Sequence, residues 1–188
     1  MDDAQRLGLL RVASAAIESE LSGRPVEDVS PVMSVVTPAE DRSGAFVTLR
    51  RGGRLRGCMG TFAPEGTLAE TVDRVARLAC RDPRFATQPV TLSELPELTL
   101  EVSVLGPLAR MSHPASLRVG TDGVLIRSGG ASGCFLPHVA TETGWTAEEL
   151  LSKCCSMKAG LPDDAWRRPD TEVYLFTADV LGGLAAEL

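Results

Sequence analysis

Two β-forming runs, Ala45–Leu49 and Leu55–Met59, flank the tetrapeptide Arg51-Gly52-Gly53-Arg54, and this spacing constrains the fold more than any other feature of the chain. Paired glycines accept the positive φ angles of a tight turn, so the runs must return on each other as antiparallel neighbours. A doubly wound parallel sheet would instead need a strand leading into a G-x-G-x-x-G or P-loop turn. The chain contains neither.

The rest of the sequence reads consistently with that hairpin. From Asp2 or Asp3 as N-cap, Leu7, Leu10, Ile17 and Leu21 recur at helical spacing until Ser22-Gly23-Arg24-Pro25 ends the run. Val26–Ser43, rich in Pro, Asp and Ser, reads as an irregular connector. Thr67-Leu68-Ala69-Glu70 is a capping box, and Val72, Val75, Ala76 and Ala79 predict a helix to about Cys80, stopped by Arg81-Asp82-Pro83. Leu98–Leu105 alternates as a strand, with Glu101 expected opposite the main apolar row. Val124–Arg127, a glycine-rich turn over Ser128–Gly133, and Cys134–Leu136 predict a second hairpin cut off by Pro137. Thr146 opens another capping box with Glu149, for a helix through Leu150, Leu151 and Cys154 to Lys158-Ala159-Gly160. Val173–Phe176 reads as a last strand before a small-residue tail. Hairpins interspersed with helices predict an α+β fold with a mostly antiparallel sheet. At 188 residues the chain is expected to form one domain, 1–188, with room for a core and a cleft.

Charge and composition narrow the function. A formal charge of -6 gives no positive field for a polyanion, and eight scattered aromatics make no base-stacking platform, so nucleic acid is not an expected partner. No apolar run is long enough to span a membrane, and the acidic start MDDAQRLGLL is unlike a secretion signal, so a cytoplasmic protein is expected. Five cysteines, an odd number in a chain with an ample core, point to reduced thiols rather than a disulfide framework.

The stretch Arg56-Gly57-Cys58-Met59-Gly60-Thr61 concentrates the candidate chemistry. Two glycines around a cysteine let a backbone approach a ligand and leave the sulfur uncrowded. In a regular hairpin Arg54, Arg56 and Cys58 share one face, where a guanidinium favours the thiolate form of a cysteine. The competing reading makes Cys58 a small core residue and the arginines a solvated rim. His138, after Leu136-Pro137, is placed to serve as a base, and Glu101 to orient that imidazole or to bind a substrate ammonium or hydroxyl. Each has a structural alternative, a hydrogen-bonded histidine and a surface glutamate. His113, in a polar loop before Pro114, reads as an exposed loop residue. Cys58, His138 and Glu101 thus form the candidate catalytic set. Arg56, Gly57, Gly60 and Thr61 are candidate substrate contacts, joined by Arg84 of Asp82-Pro83-Arg84-Phe85 and by Lys158, although the last two also read as an ordinary turn and a helix end. Cys134 and His138 at C-x3-H spacing and the adjacent Cys154-Cys155 do not fit a zinc knuckle, so no metal is expected.

Five ordered motifs carry a resemblance: LRGCMGTF (Leu55–Phe62), DPRF (Asp82–Phe85), LEVSVL (Leu100–Leu105), the GVLI-to-GCFLP run (Gly123–Pro137) and KAGLP (Lys158–Pro162). Together they resemble the AMMECR domain family, the A component of the AmmeMemoRadiSam system. The resemblance implies an α/β fold with a larger and a smaller lobe around an antiparallel sheet, and LRGC at or near a cleft between them. It also implies an intracellular protein of a family whose bacterial and archaeal members are often associated with a Memo-type protein and a radical-SAM protein, and no organic cofactor is implied. The family pattern LPQV carries glutamine where this chain has His138. His138 therefore either replaces an amide that positions substrate or activates Cys58 more strongly than in relatives. Two functions are expected: an enzyme using Cys58 on a small polar substrate, or a non-catalytic module binding a small ligand or partner through the same cleft.

Overall fold

Gly52 and Gly53 adopt φ of 54° and 76°, and the turn they make pairs β1 (Ala45–Arg51) with β2 (Arg54–Thr61) in antiparallel register. The computed structural model describes residues 1–25 and 43–185, so the predicted connector lies outside the described residues except for Ser43. Two units are formed, Met1–Leu105 with Asp179–Leu188, and Gly106–Ala178.

In the first unit β3 (Leu98–Leu105) pairs antiparallel with β1, and β8 (Ala178–Leu184) extends the sheet beyond it in the order β2-β1-β3-β8. Helix α1 (Asp3–Ser22) starts at Asp2, whose side chain forms a capping box with Gln5, and ends at Gly23 in the left-handed region. Its buried stripe runs through Leu9, Leu10, Val12, Ala13, Ala16 and Ile17. Leu7, expected on that stripe, is instead exposed, because the small residues Ala13 and Ala16 centre the packed face away from it. Helix α2 (Leu68–Cys80) follows the Thr67 capping box as predicted and buries Val72, Val75, Ala76 and Ala79. Both helices contribute to one core with Val47, Leu49, Leu98, Leu100 and Val102 of the sheet.

The first hairpin departs from regular geometry at one residue. Leu49 pairs with Gly57 but Arg50 pairs with Leu55, so Arg56 is the extra residue of a β-bulge. A bulge shifts side-chain alternation by one position. Arg54, Arg56 and Cys58 therefore do not share a face as a regular hairpin would require. Leu55, opposite Arg50, is the residue that falls on the side of Cys58.

The second unit holds a sheet in the order β4-β7-β5-β6, from β4 (Ala109–Arg110), β5 (Gly123–Ser128), β6 (Ala131–Phe135) and β7 (Glu172–Phe176). Its hairpin turn is the pair Gly129-Gly130, tighter than the six-residue turn expected, and Gly133 belongs to the strand. Pro137 starts a short helix, α3 (Pro137–Thr143), where the sequence predicted only the end of a strand, since proline at the first helical position costs no hydrogen bond. Helix α4 (Ala147–Lys153) runs from its Thr146 capping box into a π-helical turn, Cys154–Ala159, closed by Gly160 at φ 66°. Its core joins Val124, Ile126, Phe135, Leu150, Leu151, Cys154, Trp166 and Val173. The α+β class with antiparallel pairing is thus realised in two sheets rather than one. Among the described residues no helix is long and apolar enough to cross a membrane.

Candidate functional site

Cys58 on β2 lies opposite Thr48 on β1, and Thr48 lies opposite Glu101 on β3. Directly opposed residues project from the same face of a sheet, so Cys58, Thr48 and Glu101 form one row across three strands. Thr48 Oγ1 donates to Cys58 Sγ at 3.3 Å. Ser103, two residues beyond Glu101, shares the face. The other face carries Val47, Leu49, Leu100 and Val102 into the helix-covered core. Glu101 Oε1 and Ser103 Oγ are both buried and have no hydrogen-bond partner among the described residues. Thr48 was not singled out from the sequence, although a polar residue between Val47 and Leu49 is a readable signal.

β2 is an edge strand, and the DPRF motif occupies its open edge. The Cys58 N–H donates to Asp82 Oδ2 at 3.0 Å, and Arg84 Nη2 donates to the Cys58 carbonyl at 3.1 Å. Arg84 also donates from Nε and from its own backbone N–H to Asp82 Oδ1, both at 3.0 Å. Asp82 and Arg84 thereby do for one residue what a neighbouring strand would do. Burial pushes the Asp82 carboxyl upward, but the hydrogen bonds from Arg84 and from the Cys58 and Arg84 amides outweigh it and hold the pKa below the usual carboxylate range. Arg84 is stabilised as a cation first by its hydrogen bond to Asp82, with smaller contributions from Cys58. The cation beside Cys58 is therefore Arg84. The sequence placed Arg84 among the candidates but gave Asp82 only a turn role.

Arg56 performs a different task from the one expected. Its Nε and Nη2 bind both oxygens of Glu94 at 2.9 and 3.0 Å, and its remaining contacts go to the Gln88 and Pro89 carbonyls at 3.1 Å. It fastens the 88–94 segment to β2. That pairing, together with the amide and hydroxyl of Thr91, pulls the Glu94 pKa down to about 2 against the opposing effect of burial. The folded carboxylate thus resists protonation between pH 4.5 and about 2, where the unfolded chain takes up a proton. Its stabilisation is present above pH 4.5 and lost as pH falls toward 2. Acid unfolding followed by circular dichroism should show a shallower loss in this window for Glu94→Gln than for the wild-type chain.

Gly57 and Gly60 were expected to make room for a ligand, but protein atoms fill that room. A Cβ on Gly57 would meet the Ala79 carbonyl oxygen at 2.0 Å, and one on Gly60 would meet the Phe46 ring at 2.2 Å. The first glycine admits helix α2 to the sheet and the second admits a phenyl ring. Thr61, half-buried, accepts the Ala63 N–H at 3.1 Å. In the second unit, His138 is half-buried in the first turn of α3. There too Lys158 places Nζ 5.1 Å from the Phe135 ring centre, and Gly133 packs against the Lys158-Ala159 backbone, so GCFLP and KAGLP meet.

The five thiols are not equivalent. Burial pushes Cys80 up to about 12 and raises Cys154 and Cys155 as well. Cys58 and Cys134 are only half-buried. No group of three or more His, Cys, Asp or Glu side chains that could hold a metal ion occurs among the described residues.

Two antiparallel sheets with their helices, and an edge-clamped cysteine in a polar row, define an α+β protein assembled around the LRGC, DPRF and LEVSVL segments. Comparison with known proteins identifies its family: AMMECR1 matches residues 10–181, and the chain belongs to that family. A protein from Methanothermobacter thermautotrophicus is 40% identical over 92% of this chain and 91% of its own length. Protein TK0174 of Thermococcus kodakarensis is 42% identical over 92% of this chain and 87% of its own. The crystal structure of uncharacterized protein PH0010 from Pyrococcus horikoshii superposes with a TM-score of 0.83 at 37% identity, covering 96% of this chain and 91% of that one.

Proposed function

We propose that this protein is an intracellular, cytoplasmic enzyme in which the Cys58 thiolate acts as nucleophile or acid/base on a small polar substrate, within an AmmeMemoRadiSam-type system that includes Memo-type and radical-SAM proteins. The observation that carries this reading is the buried Glu101 oxygen that has no donor among the described residues and stands in the same cross-strand row as Cys58. A buried acceptor without a partner costs about 1–3 kcal/mol. A substrate hydroxyl or ammonium would supply the missing donor and hold the reacting atom along the row. Arg84, fixed by Asp82, places positive charge beside Cys58.

A second reading, a non-catalytic module that binds a ligand or partner, draws on the packing of Gly57 and Gly60 and on the engagement of Arg56, which together make LRGC a supporting element. One experiment separates the two. The full chain and Cys58→Ser are incubated with a small-molecule extract of cells, and turnover and covalent adducts are followed by mass spectrometry. Cys58→Ser should fold normally and lose all turnover; a folded variant that turns over extract components as the wild-type chain does would rule the enzyme reading out. Iodoacetamide at neutral pH, applied to a Cys134→Ser background, should label Cys58 ahead of Cys80, Cys154 and Cys155, which are buried and shifted upward.

A further inference from the structure

A concavity of about 610 Å³ opens beside the tip of the first hairpin, lined by Arg51, Arg54, Leu55, Arg56, Phe85, Gln88 and Glu94. Neither Cys58 nor Glu101 lines it, so a ligand bound there is independent of the thiol reading. Its volume falls within the range of small-molecule sites.

The charges in this pocket do not cancel. Arg56 is bound through two nitrogens to Glu94, and Arg51 is bound through two to Glu97 at 2.8 and 2.9 Å. Both acids stay ionised near neutrality: the Arg56 hydrogen bond holds Glu94 down, and the Arg51 hydrogen bond lowers Glu97. The third guanidinium, Arg54, is exposed and has no partner among the described residues. One positive charge with five N–H donors is therefore uncompensated at the pocket wall. Beside it stand the half-buried ring of Phe85, the apolar side chain of Leu55, and the Gln88 side-chain amide. Gln88 commits its backbone carbonyl to Arg56, while its side chain, able to donate and accept, has no partner among the described residues.

We propose that this pocket binds a small molecule made of a planar, polar-edged ring bearing a carboxylate or phosphate group. Arg54 takes the oxyanion through its guanidinium fork, Phe85 and Leu55 pack the ring, and Gln88 reads its edge. Arg51 and Arg56 hold the wall in place, with their carboxylate partners keeping them from competing for the ligand.

Isothermal titration calorimetry of the full chain with adenosine monophosphate and with nicotinate, and with inorganic phosphate as the ring-free control, tests the assignment. A saturable one-to-one isotherm is expected for at least one ring-bearing probe. Which of the two binds tells a phosphate ligand from a carboxylate one. Arg54→Gln should weaken that binding by about tenfold or more, the loss of a charge-assisted contact. Phe85→Leu should weaken the ring-bearing probe and leave phosphate unchanged. Raised salt should weaken binding, because the cation is exposed. Absence of saturable binding by both ring-bearing probes at millimolar concentration overturns the proposal, as does unchanged affinity in Arg54→Gln. Arg54 is exposed at the hairpin turn, so its variant should keep the wild-type thermal midpoint and Cys58 labelling rate. Full binding by Cys58→Ser would keep this site separate from the fate of the thiol reading.

Discussion

Gly57→Ala should unfold at markedly lower urea concentration than the wild-type chain, with a loss of about 3 kcal/mol. The added methyl would stand 2.0 Å from the Ala79 carbonyl oxygen and 3.0 Å from the Ala79 carbonyl carbon. These are backbone atoms in the last turn of α2, so relief requires moving the helix off the sheet rather than turning a side chain. That helix contributes Leu68, Val72, Val75 and Ala76 to the core, all 1% exposed or less, and any displacement loosens the packing of each. Gly182→Ala is the matched control. Its Cβ would lie 3.4 Å from the Leu100 carbonyl, an ordinary contact, and its stability should change by about 0.5 kcal/mol or less. Equal midpoints for the two variants would show that Gly57 does not set the helix-to-sheet distance.

Asp82→Ala is expected to cost about 3–4 kcal/mol and to change the rate at which Cys58 is alkylated. Asp82 is 3% exposed and accepts from the Cys58 amide, the Arg84 amide and the Arg84 guanidinium. Truncation removes the acceptor for all three donor groups at once and frees the edge of β2 where Cys58 sits. The effects of Asp82→Ala and Arg84→Ala should be strongly non-additive, since Arg84 reaches the Cys58 carbonyl while braced by Asp82. Asp82→Asn retains an acceptor for the Cys58 amide and should fall between wild type and Ala in stability. A wild-type labelling rate in a destabilised Asp82→Ala chain would mean that the clamp supports the fold without positioning the sulfur.

The pairing of Cys58 with Glu101 on one surface shows how far alternation carries. Both were chosen from residue type and strand pattern, and the unbroken register of β1 with β3, together with the stretch of the β1–β2 register beyond the bulge, aligns them. The same alternation failed for Arg56, only two residues away, because a single bulged residue shifts every side chain beyond it. Sequence periodicity contains no marker for such a bulge. Strand β8 was missed for a related reason: Ala178–Leu184 carries Gly182-Gly183 and weak alternation, and it becomes a strand through pairing beyond β3. The Arg56–Glu94 and Cys58–Asp82 contacts join positions 38 and 24 residues apart, a separation beyond the reach of local pattern.

What the sequence by itself determined is local: an aspartate N-cap at the first helix, capping boxes at Thr67 and Thr146 that start two more, and two glycine-rich turns that impose antiparallel hairpins. Each rests on neighbours within three or four residues, whose hydrogen bonds and φ angles depend little on the rest of the chain. Tertiary structure alone decided what the motif residues do. Arginine, aspartate and glycine are each compatible with several roles, and the partner that arrives from a distant segment selects one: Glu94 for Arg56, Ala79 for Gly57 and Cys58 for Asp82.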